Sequence, residues 1–79
     1  MRIYERKGIL MPLTLAQLGK GNKIIKIGGS ASERNRLRDM GFIEGEEVRV
    51  LSSVSGNLIV EVKNVRFALD KKFAARIMI

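Results

Sequence analysis

EEVRVLSSVSGNLIVEVKNVRFALD, residues 46–70, contains three runs in which apolar residues return at every second position. Val48 and Val50 alternate with Glu47 and Arg49. Leu58, Val60 and Val62 alternate with Ile59, Glu61 and Lys63, and Val65, Phe67 and Leu69 with Arg66, Ala68 and Asp70. Successive side chains of an extended backbone point to opposite faces, so this period of two marks strands with one face buried. Ser55-Gly56-Asn57 and Lys63-Asn64 separate the runs. Gly and Asn accept the positive φ of tight hairpins, and the stretch therefore predicts a three-stranded antiparallel meander.

Working outward, Lys71 to Ala75 fits one helical turn, and Arg76 to Ile79 a short closing strand. Upstream, Lys23 to Ile27 (KIIKI) is rich in β-branched residues and predicts a first strand, ended by the Gly28-Gly29 turn. A helix is expected from about Ala31 to Met40. Ser30 suits the N-cap, because its hydroxyl can accept from an otherwise unpaired backbone N–H, and Glu33 completes a capping box. Gly41 suits the position just past the helix, with Leu37 and Phe42 placed for the hydrophobic contact of a Schellman ending. Thr14 and Gln17 have capping-box spacing for one further turn, with Gly19 and Gly21 to stop it.

On the main helix Leu37 and Met40 form a narrow apolar stripe, flanked by Arg34 and Arg38 on one side and Arg36 on the other. A stripe that narrow covers one open end of a barrel better than it anchors a helical bundle. The predicted architecture is mainly β: a small barrel of about five antiparallel strands with one inserted α-helix and no long exposed edge. Residues 1–10 show no clean period and Met11-Pro12 reads like a second start, so 1–10 is expected to be an extension or arm and 11–79 the domain. Seventy-nine residues make one domain, near the lower limit for burying a core without staples.

The chain has no cysteine and no histidine. Thiolate chemistry and the commonest neutral general base and metal ligand are thereby excluded, and no catalytic residue and no metal-ligand set is assigned. The longest apolar runs fall far short of the roughly 20 residues of a membrane helix, and charges at Glu5, Arg6 and Lys7 break up any signal-like core, so a cytoplasmic protein is expected. A formal charge of +7, carried mainly outside the first ten residues, favours an anionic partner.

Arg34, Arg36 and Arg38 are the candidate partner-binding residues, since guanidinium groups make forked, charge-assisted hydrogen bonds to carboxylates. The competing reading is a solvated helix face, with Arg36 paired to Asp39 at i, i+3. Met40 and Phe42 are expected in the core. Glu44, Glu46 and Glu47 form the densest carboxylate cluster and are read as a solvated loop, Glu46 and Glu47 facing opposite ways if they begin a strand. Gly28-Gly29 lacks both the lysine and the glycine pattern of a phosphate-binding loop.

In order, the segments Leu13-Thr14-Leu15-Ala16-Gln17-Leu18, Arg36-Leu37-Arg38-Asp39-Met40-Gly41-Phe42, Gly45-Glu46-Glu47-Val48-Arg49-Val50 and Val65-Arg66-Phe67-Ala68-Leu69 resemble the FeoA family over about residues 13–79. Lys20, Glu44, Asn57-Leu58 and Asn64 depart from its usual Pro, Pro, Asp-Pro and Gly, all in expected turns. The resemblance implies an SH3-like barrel and a non-catalytic role in ferrous iron transport beside FeoB, the membrane-embedded, GTP-hydrolysing transporter, at its cytosolic portion. It also brings an association with transition metals, but the soft nitrogen and sulfur ligands suited to ferrous iron are missing, so no tightly bound metal and no cofactor are expected. The same barrel ends some iron-dependent repressors, which carry a DNA-binding winged helix that ten extra residues cannot supply.

The alternative is a small basic nucleic-acid-binding barrel. Such binders interleave stacking aromatics with positive charge, and here only Tyr4, Phe42, Phe67 and Phe73 exist. An enzyme ranks last, for want of a paired acid and base. A second copy of the chain is a further partner that the sequence allows.

Overall fold

The structure is a computed structural model, which describes residues 10–79. The expected arm at 1–10 therefore lies, Leu10 apart, outside the described residues. Among the described residues six strands form two sheets: β1 (Gly21–Lys23), β3 (Glu47–Val54), β4 (Asn57–Val62) and β5 (Val65–Asp70) in the order β1-β3-β4-β5, and β2 (Lys26–Ile27) with β6 (Ile77–Met78). All pairings are antiparallel. Helix α1 (Ala31–Asp39) lies between β2 and β3 in sequence, and a single turn, α2 (Lys71–Ala74), precedes β6. This is the expected small, mainly β barrel with one inserted helix, built from six strands where about five were expected.

The expected antiparallel meander forms, with Val48 opposite Val62 and Val60 opposite Phe67. Both hairpins use two-residue turns with positive φ throughout: Ser55 (46°) and Gly56 (84°), then Lys63 (52°) and Asn64 (65°). That backbone follows the right-handed strand twist. Asn57 is not part of its turn, because it already pairs with Val54 as the first residue of β4. The departure at Asn57-Leu58 thus falls in a strand, whereas Asn64 occupies a left-handed position that glycine also fills. A bulge between Val50 and Ser52 breaks the alternation on β3. On β5 burial fades from Leu69 (3% exposed) to Val65 (49%), since β5 is an edge strand whose first residue reaches beyond the core.

Lys23 to Ile27 is not one strand. Ile24 donates its N–H to the Glu46 carbonyl (2.9 Å) and Ile25 to the Met78 carbonyl (2.8 Å). Adjacent N–H groups of an extended chain point opposite ways, so each meets a different neighbour and the segment hands over from one sheet to the other. Beyond β6 the wrap continues, with Met11 and Ile79 exchanging N–H···O bonds of 3.0 and 2.8 Å. The first helical turn also differs from expectation. It is a 3-10 turn over Leu13–Leu15, uncapped by any side chain, that starts from Pro12 (φ −68°) and is extended again at Ala16, before Gly19. Proline presets the entry dihedral, which leaves Thr14 inside the turn and not at its cap.

Helix α1 is bounded as its sequence dictates. The Ser30 hydroxyl accepts from the Glu33 N–H (3.1 Å), and the Glu33 carboxylate accepts from the Ser30 N–H (3.0 Å). At the other end Met40 is the C-cap and Gly41 has φ +107°. Gly41 donates to the Arg38 carbonyl (3.0 Å) and Phe42 to that of Leu37 (2.9 Å), the double bond of a Schellman ending. Leu37 and Phe42 are fully buried, in one core cluster with Val48 of β3 and Val60 of β4, which are equally buried. Ser30→Ala is expected to lower unfolding stability by about 1 kcal/mol, the usual cost of a lost cap, read as a lower urea midpoint at unchanged m-value.

Candidate partner-binding surface

Burial of Leu37 sets the rotation of α1 and so decides where its arginines go. Arg34 donates from Nη1 to the Gly29 carbonyl (2.7 Å), tying the helix to the preceding loop. Arg38 donates from Nη1 to Asn35 Oδ1 (3.2 Å) one turn back. Arg36 turns the other way, its guanidinium carbon 5.2 Å from the centroid of the Phe73 ring on α2. The expected Arg36–Asp39 pair is not formed: among the described residues no ion pair joins them, because the aromatic face across the groove holds the guanidinium instead. The structure thus separates the three arginines into a pair engaged on its own helix and loop and one directed at α2.

Between α1, β5 and α2 runs a groove of about 630 Å³ whose lining includes Arg36, Met40, Leu69, Lys72, Phe73 and Arg76. Its two carboxylates are already engaged. Asp70 caps α2 by accepting from the Lys72 and Phe73 N–H groups (2.8 and 3.2 Å). Glu33, besides its capping bond, lies 3.4 Å from Arg76 Nε. Phe73, Lys72 and Arg76 as companions of Arg36 were not legible in the sequence, since they stand more than 30 positions away and no local spacing joins them.

A second recess, of about 240 Å³, is lined by Glu46, Glu47, Arg49, Glu61, Lys63 and Asn64. Glu46 and Glu47 do not begin one strand together, so the condition for their facing opposite ways is not met. Strand β3 begins only at Glu47, so strict alternation does not reach Glu46, and both line this recess. Their charges are met by neighbours: Glu47 by Arg49 (3.0 Å), Glu46 by Lys63 (3.8 Å), and Glu61 by Arg66 (3.7 Å). Among the described residues no three His, Cys, Asp or Glu side chains converge to hold a metal ion. Met40 is partly buried against the core, and Phe42 lies within it, its ring 5.6 Å from that of Phe67 and tilted by 52°.

A search of curated protein sequences finds no match. Among solved structures, the chain is similar to the iron uptake regulatory protein FeoA (32% identity, 89% of this chain and 95% of that chain, TM-score 0.79). It is also similar to Stenotrophomonas maltophilia FeoA, solved with zinc (30% identity, 85% and 86% of the two chains, TM-score 0.75). That protein is described as a prokaryotic SH3 domain protein and a suggested ferrous iron transport activating factor. A manganese-dependent transcriptional repressor shares the fold alone (16% identity, 89% of this chain and 40% of that chain, TM-score 0.80). The FeoA domain model matches residues 11–79, the whole barrel from Met11 to Ile79, and the chain belongs to the FeoA family.

Proposed function

We propose that this chain is a non-catalytic accessory protein of ferrous iron uptake that acts in the cytoplasm by binding and modulating a FeoB-type, GTP-driven iron transporter through the α1 side of the barrel. Family membership supports the link to iron transport. The observation that carries the binding role is helix α1 itself: capped at both ends, pinned by Leu37, and presenting Arg34, Arg36 and Arg38 at the surface. A sequence with neither histidine nor cysteine offers little for acid–base or nucleophilic catalysis, which favours binding as its work. Among the described residues no helix is long and apolar enough to cross a membrane, so membrane contact would come through the transporter.

The nucleic-acid reading finds little support in the aromatics. Phe42 is sealed in the core, Phe67 packs against it, and the Phe73 face is covered by Arg36. Phe42 offers no open ring on which a base stacks, and Phe67 and Phe73 are each only partly exposed.

Reversing all three charges, Arg34→Glu with Arg36→Glu and Arg38→Glu, is expected to weaken binding to the cytosolic portion of a FeoB-type transporter about tenfold or more. Raising salt should shrink the difference, because exposed charges are screened beyond about 8 Å at physiological ionic strength. Calorimetric titration at two salt concentrations checks this. Wild-type affinity in the triple variant would move the interface off α1.

A further inference from the structure

Among the described residues, cations without an ion pair occur on several elements, Lys20, Lys23 and Lys26 among them, but one groove brings such cations together over a partly apolar floor. On the β3–β4 side the acids Glu46, Glu47 and Glu61 are matched by Lys63, Arg49 and Arg66. On the α1–α2 side the balance differs. Among the described residues, Arg36, Lys71 and Lys72 form no ion pair, and the two acids that line the groove there are committed to helix caps. Arg36 is the most telling of these cations. Its guanidinium carbon lies 5.2 Å from the centroid of the Phe73 ring, and among the described residues its N–H groups make no hydrogen bond, so the fork is open to a carboxylate. Lys72 lines the same groove, and Arg76 adds a second guanidinium, already held by Glu33. The floor between them is partly apolar, with Met40, Leu69 and Phe73.

We infer that this α1–α2 groove, and not the Arg34–Arg38 side of the helix, receives an acidic peptide segment of the partner protein. One carboxylate is taken by the Arg36 fork and another by Lys72, with an apolar side chain of the segment between them against Met40 and Phe73. The inference rests on the adaptor reading and narrows it. Charge complementarity defines the occupant, since open cations over an apolar floor fit a chain that carries carboxylates and at least one apolar residue. A concave groove of about 630 Å³ suits a peptide segment better than a flat headgroup surface. Arg34 and Arg38 are poorer candidates, because each spends a donor on its own helix or loop.

The test compares two double variants of the full chain, Arg36→Glu with Lys72→Glu and Arg34→Glu with Arg38→Glu, in titrations against the soluble cytosolic portion of a FeoB-type transporter. Their folds are checked by circular dichroism. The groove variant should lose about tenfold or more in affinity and the other less than about threefold, as expected for direct contacts against screened bystanders. Arg36→Lys, which keeps the charge but not the fork, should lose several-fold. If the glutamate pair at 36 and 72 impairs folding, Arg36→Gln with Lys72→Gln takes its place, with the same ranking expected. Amide shifts of labelled wild type should centre on Arg36, Phe73 and Arg76.

Equal losses in both variants, or shifts centred on exposed Leu15 and Leu18, would overturn the groove while leaving the adaptor reading intact. Failure of wild type to bind the transporter portion, with or without binding to vesicles of anionic phospholipid, would overturn both.

Discussion

Phe42→Ala is expected to cost about 3–5 kcal/mol of unfolding stability, the range for removing a large aromatic side chain from a packed core. Phe42 is 0% exposed, stacks at a tilt on Phe67, and follows the helix end whose backbone it helps to close. Small domains have little stability in reserve, typically about 5–15 kcal/mol in total, so the variant should be near the edge of folding at 37 °C. Urea unfolding at 25 °C measures the loss. Ile43→Ala, next in sequence but on the surface, serves as the control and should stay within about 0.5 kcal/mol of wild type. A loss at Phe42 no larger than that of the control would mean that the core does not centre where the helix and the meander meet.

Gly41→Val should destabilise the domain by about 1–3 kcal/mol for a reason unrelated to space. A Cβ at Gly41 would meet its nearest atoms, on Lys63 and Val62, at 3.7 Å, an ordinary contact. The cost lies in φ +107°, which a β-branched residue adopts only under strain, and in the two Schellman bonds that depend on that backbone. Gly41→Ala separates the terms, because alanine adds almost no bulk and should recover only part of the loss. An unchanged midpoint in both variants would contradict the assignment of the helix end.

The parts legible in the sequence were those governed by local chemistry. Caps at Ser30 and Gly41 and the alternation of Val48, Val50, Leu58, Val60 and Val62 each depend on residues a few positions apart, and each appears as expected. What escaped depends on distant partners. KIIKI looks like one strand because its composition is uniform, yet its consecutive N–H groups go to Glu46, just before β3, and to Met78 on β6, which lies in the other sheet. Arg36 looked like a partner for Asp39 because i, i+3 is a contact on an isolated helix, but Phe73, brought in by α2, offers a face that holds the guanidinium. Likewise the bulge after Val50 and the exposure of Val65 follow from sheet order, which local spacing does not encode. The candidate arginines were legible as a row, but their division into an engaged pair and one directed at the groove was not.

That a barrel with neither histidine nor cysteine works by binding the transporter is the proposal, and a calorimetric titration of the wild-type chain into the purified cytosolic portion of a cognate FeoB-type transporter tests it most directly. The account predicts a saturable complex that weakens as salt rises from low to physiological concentration, with total RNA unable to compete for the chain. Absence of binding at low salt, together with RNA binding that falls steeply with salt, would contradict it.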